Sequence, residues 1–101
     1  MRIIDLEIKN NVLEVNGSID FYNVVSLWQK GLMSINTLDK IKIDLKGLLN
    51  SDSSGLALFT AWVRAARAQN KEIVFINMPG FMQDISRVCG LDGVLPVLWE
   101  N

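Results

Sequence analysis

The residues best equipped for chemistry are Ser51, Asp52, Ser53 and Ser54, which stand in a row before Gly55. Hydroxyls clustered around one carboxylate can cap a helix, carry a phosphate or orient a bound group. Nucleophilic attack by a serine needs a base to take its proton. The chain has no His and no Lys close to this cluster, so the Ser/His/Asp triad and the Cys/His pair are both excluded. Asp52 has no second carboxylate near it in sequence, which leaves a hard cation short of oxygen ligands. The single Cys89 follows Ile85 and Val88 and reads as a small buried hydrophobe. No catalytic residue, cofactor site or metal site is expected.

Composition narrows the partners. Lys and Arg total 10 against 11 acids, so no net field attracts a phosphate backbone, and nucleic-acid binding is not expected. The start, Met1-Arg2-Ile3-Ile4-Asp5, breaks its apolar run too early for an export signal. No charge-free apolar run reaches the roughly 18 residues of a membrane span. With 101 residues, half of them apolar, the chain is expected to form one cytoplasmic domain with one core.

The elements that must hold the serine cluster follow from periodicity. Ile3, Leu6 and Ile8, then the turn pair Asn10-Asn11, then Val12, Val15 and Ile19 predict a β-hairpin. From Val24 to about Leu38 the spacing predicts an amphipathic helix, with Val24, Trp28, Leu32 and Ile35 inward. Trp28 is its expected core anchor, Asp20 or Asn23 its cap, and Gly31 a point of close approach to a sheet. Ile41-Lys42-Ile43-Asp44-Leu45 alternates strictly and predicts a half-buried strand that runs into a loop before the serines. A helix from about Ser54 to Asn70, a strand over Glu72 to Asn77, a helix over Phe81 to Cys89 stopped by Gly90, and a short edge strand in the tail from Val94 to Trp99 complete the pattern. In the helix over Phe81 to Cys89, Phe81, Ile85, Val88 and Cys89 are expected inward. Alternating strands and helices argue for α/β architecture: a mixed, mostly parallel sheet with an N-terminal antiparallel hairpin and flanking helices.

Functional groups in such folds gather where a strand feeds a helix N-terminus, because unpaired N–H groups and the helix dipole converge there. The bland role of the cluster is a cap worth about 1 kcal/mol. Four small polar residues exceed that need. A helical wheel places Thr60, Arg64 and Arg67 within about 80° of Leu56. Leu58, Phe59, Trp62, Ala65 and Ala66 cluster on the other side. Leu56 is therefore expected outside, so that Asp52, Ser53, Ser54, Gly55, Leu56, Thr60, Arg64 and Arg67 compose a small docking surface.

Ile43-Asp44-Leu45 followed by Asp52-Ser53-Ser54-Gly55-Leu56-Ala57-Leu58 resembles the central signature of the STAS domain, the fold of anti-sigma-factor antagonists and of modules attached to anion transporters. Val15-Asn16-Gly17-Ser18-Ile19-Asp20 is similar to the family's link from second strand to first helix, so the resemblance spans nearly the whole chain. It implies that Ser53 is the phosphorylatable position. Ser26-Leu27-Trp28, Gly55-Leu56-Ala57-Leu58-Phe59 and Gly90-Leu91-Asp92-Gly93-Val94-Leu95-Pro96 resemble the MlaB-type branch, STAS subunits of Mla phospholipid-transport ABC complexes. That branch implies a subunit that binds and supports the transporter's ATPase and helps maintain outer-membrane lipid asymmetry. Ser53 and Ser54 stand where the branch favours Thr and Gly, and both departures point toward the alternative, an anti-sigma-factor antagonist whose partner kinase phosphorylates Ser53.

Overall fold

The computed structural model describes residues 4–9, 11–90 and 95–98. Along the chain run β1 (Ile4–Lys9), β2 (Val12–Ile19), α1 (Val24–Thr37), β3 (Lys40–Asp44), β4 (Leu48–Ser51), α2 (Ser53–Ala68), β5 (Glu72–Ile76), α3 (Gly80–Val88) and β6 (Val97–Leu98). The sheet order is β1-β2-β3-β5-β6, with β4 pairing β2 beyond the end of β3. β1 lies antiparallel to β2 and every other pairing is parallel. Parallel neighbours need crossovers, and α1, α2 and α3 supply them.

Period two in the sequence becomes one buried face. Leu13 pairs with Ile43 and Ile43 with Phe75, and this row across three strands is buried throughout. Leu27, Ile35, Phe59, Trp62 and Met82 close over that face from the helices and join the same core. Phe59 stacks at a tilt against Phe75 at 5.2 Å and against Trp62 at 5.8 Å between ring centroids. Glu14, Asn16, Lys42 and Asp44 alternate with these residues and are half-buried on the other face.

Several local expectations need correction. The segment after β3 is not simply a loop: Leu48–Ser51 forms β4, which takes up the pairing with β2 that β3 leaves after Asp44. Trp28 is not a core anchor, with 40% of its surface exposed; Leu27, Gly31 and Ile35 form the buried stripe of α1 instead. The cause is Gly31. A Cβ there would collide with the indole of Trp62, so the glycine admits Trp62 from α2, and the close approach is to a helix rather than to the sheet. Trp62 Nε1 then donates to the Trp28 carbonyl at 3.3 Å, which ties the two helices together.

In α3, Met82 is the buried residue, with Phe81 and Ile85 packed beside it. Val88, 88% exposed, and Cys89 are not inward, because the last turn of this nine-residue helix lies beyond the described core. Gly90 follows the helix with φ 71°, the conformation of a C-terminal stop. Asn11, with φ 65°, occupies the turn between β1 and β2; Asn10, Val94 and Trp99 lie outside the described residues.

Candidate functional site

At one end of the sheet, β4 stops at Ser51 and α2 starts at Ser53. Asp52 sits between them at the N-cap with extended backbone, and its Oδ1 accepts from the Ser54 N–H at 2.8 Å. Its own N–H donates to the Ile19 carbonyl at 3.4 Å, which docks the turn onto the end of β2. The capping role is thus real, and Asp52 performs it.

The three serines differ in what they have left to offer. Ser51 is buried, and its Oγ donates to the Asp52 carbonyl at 2.8 Å. Ser54 is half-buried and its N–H serves the cap. Ser53 opens the helix, is exposed, and makes no side-chain hydrogen bond among the described residues. Its hydroxyl is the most exposed of the three. Gly55 has a packing reason: a Cβ would strike Ser51 Oγ and lie 3.5 Å from Ile19 Cδ1. The helix can start so close to the strands only without a side chain there.

Leu56 is not exposed. It is 3% accessible and belongs to the core. The buried arc of α2 is wide, taking in Leu56, Phe59 and Val63 as well as Leu58, Trp62 and Ala66, since α2 packs against α1, β5 and α3. Val63 lies only about 20° from Leu56 on the wheel. The outward strip is Ser53, Ala57, Arg64 and Arg67, with Thr60 half-exposed. Thr60 Oγ1 is occupied by a bond to the Leu56 carbonyl at 2.8 Å.

The structure assembles a larger apolar surface beside this strip. Between α1 and α2 lies an open groove of about 510 Å³, lined by Trp28 and Leu32 on one side and by Ala57, Thr60, Ala61, Arg64 and Ala65 on the other. It continues past Trp28 and Ala57 toward Val24 and Val25 in a second hollow of about 180 Å³. Just beyond Ile19, whose carbonyl takes the Asp52 N–H, Phe21 and Tyr22 stand 77% and 92% exposed, edge to face at 6.0 Å. Their loop is fixed by a reciprocal pair of bonds: Asp20 Oδ1 accepts from Asn23 N–H at 3.0 Å, and Asn23 Oδ1 from Asp20 N–H at 2.9 Å. Neither predicted cap bonds a first-turn N–H of α1 through its side chain: Asn23 occupies the N-cap without a side-chain cap bond, and the pair closes the turn that precedes the helix.

Sequence reasoning named Ser53, Thr60 and Arg64 correctly as accessible on this side but missed Phe21, Tyr22, Val25, Ala57 and Ala61. One signal was readable: the four-residue spacing of Ala57, Ala61 and Ala65 leaves a shallow track on one helix face. Among the described residues there is no cluster of three or more acids or Cys able to hold a metal, and no helix long and apolar enough to cross a membrane.

A one-faced α/β sheet with a polar turn at the head of its central helix is the STAS class of domain. The chain belongs to the family described as Mlab, STAS domain, whose model matches residues 4–98. A chain of the Acinetobacter MlaFEDB complex in its ATP-bound Vtrans2 conformation is 32% identical, covering 88% of this chain and 95% of that one, with a TM-score of 0.77. An anti-sigma factor antagonist from Mycobacterium paratuberculosis superposes with a TM-score of 0.76 at 19% identity, over 96% of this chain and 85% of that one. The Bacillus cell fate determinant SpoIIAA in its phosphorylated form gives 0.70 at 19% identity, over 98% and 92%. Likeness at that identity speaks for the fold alone. Comparison with curated protein sequences gives no match.

Proposed function

We propose that this chain is a non-catalytic STAS subunit that binds and supports the ATPase of an Mla-type phospholipid ABC transporter on the cytoplasmic side of the inner membrane, and so serves outer-membrane lipid asymmetry. The observation that carries this reading is the 32% identity to a chain of the MlaFEDB complex over nearly the full length of both. The surface beside the serine turn supports it. Exposed Phe21, Tyr22 and Trp28 with Arg64 supply the residue types that dominate binding energy when a partner desolvates them. The contact surface of this reading comprises Asp52, Ser53, Ser54, Thr60, Arg64 and Arg67, with Gly55 shaping the turn from beneath.

Co-purification tests the proposal. The tagged chain, expressed in a Gram-negative host together with an Mla-type transporter, is expected to retain the transporter's ATPase through gel filtration. A preparation that retains no ABC ATPase removes the reading.

The second reading, an anti-sigma-factor antagonist with a kinase partner, draws on one feature: the Ser53 hydroxyl is exposed and unengaged among the described residues. Phosphate there adds about 1.5 to 2 negative charges at a helix N-terminus that tolerates them. It would also sit one residue from the Asp52 carboxylate and close to an apolar surface, where a docked partner could not accommodate it. Mass spectrometry after incubation with candidate kinases separates the readings, since an antagonist must acquire phosphate on Ser53.

A further inference from the structure

The groove between α1 and α2 has a chemical character of its own. Its walls are apolar from Val24 and Val25 through Trp28 to Leu32. Neither α1 nor α2 contains a single acid, although the chain as a whole has one more acid than base. At the far end of the groove Arg64 forms part of the wall, and Arg67 stands exposed one turn further along α2. Arg67 lies in the last turn, where a cation complements the helix dipole, and so has a local explanation. Arg64, mid-helix, does not.

From Val25 to Leu32 the groove runs about 10 Å along α1, the rise of roughly two helical turns. Its floor at Ala57 and Ala61 is low because those side chains are small. An extended strand would find no sheet edge here, whereas a helix presenting apolar side chains at i, i+3 or i+4, and i+7 fits such a track. The positive end favours a carboxylate on the occupant. We infer that the α1/α2 groove receives an amphipathic α-helix of the partner, whose apolar side chains seat on Trp28 and Ala57 and whose acidic end lies over Arg64. This inference rests on the ATPase-docking reading, for which it specifies the element recognised. The contact therefore extends well beyond Ser53, with the serine turn at one end of a longer interface.

The test uses the full chain in complex with the ATPase. A photo-reactive p-benzoylphenylalanine is placed at Ala57 or at Ala65, and cross-linked peptides are identified by mass spectrometry. Both positions are expected to capture one partner segment with helical apolar spacing, and the Ala65 cross-link should lie nearer its Asp and Glu residues. Arg64→Glu should slow association about tenfold and flatten its salt dependence. Arg87→Glu on α3, away from the groove, should leave both unchanged. A complex that forms but cross-links to a basic or non-helical segment overturns the inference, as does wild-type association by Arg64→Glu; the ATPase reading survives either result. A wild-type chain that captures no ATPase defeats that reading and the inference with it.

Discussion

Ser53 and Leu56 are three residues apart and have opposite fates. The hydroxyl of Ser53 faces outward at the first position of α2, whereas Leu56 is sealed in the core. Ser53→Glu should therefore leave the urea midpoint of unfolding unchanged and abolish retention of the ATPase. Leu56→Ala should lower stability by about 2–5 kcal/mol, the usual cost of a large-to-small core change, and Leu56→Asp should prevent folding, both followed by circular dichroism during denaturation. If Leu56→Asp folded normally and lost only its partner, the core placement would be wrong. Gly55→Ala should cost about 1–3 kcal/mol, since the added methyl meets Ser51 Oγ beneath the turn. The sequence made the polar turn legible because its residue types are those of a helix cap. It hid the position of Leu56 because a wheel shows angles, and how wide an arc is buried depends on how many neighbours a helix has.

At the scale of elements, the strands with strict alternation were readable: Ile41, Ile43 and Leu45 are buried while Lys42 and Asp44 between them are not. β4 was not, because four residues with polar Asn50 and Ser51 carry too little pattern, and its pairing to β2 depends on contacts distant in sequence. The rotation of α1 was equally invisible, since Trp62, a residue of another helix, decides it through Gly31. A second long-range tie fixes the other end of α1. Lys71 Nζ donates to the carbonyls of Ile35 and Asn36 at 2.7 and 3.1 Å, satisfying groups that the end of a helix leaves unpaired. Lys71→Met should cost about 1 kcal/mol and speed amide exchange in the last turn of α1 more than in β5. Equal protection of that turn in both proteins would show that the lysine contributes nothing to holding it.

Among the described residues the molecule has a helical layer on one sheet face and a half-buried polar surface on the other, and its exposed aromatic residues, Phe21, Tyr22 and Trp28, all lie between the end of β2 and the middle of α1. The alternation of strand and helix patterns foresaw the α/β architecture but not the exposure of Phe21 and Tyr22, which follow a strand end where no periodicity marks a face. Packing of α1 on α2 brings Val25 and Trp28 beside the alanines of α2, a contact between residues distant in sequence. On the ATPase-docking function proposed above, the subunit acts by binding, with an affinity that a single charge at Ser53 removes while the fold persists. The most direct test of that claim is the affinity of the 101-residue chain for the transporter ATPase, measured by calorimetry for wild type and Ser53→Glu with folding checked in parallel. We expect tight one-to-one binding by the wild type and at least a hundredfold loss, roughly 3 kcal/mol, in an equally stable variant. Undiminished binding by Ser53→Glu would contradict the account.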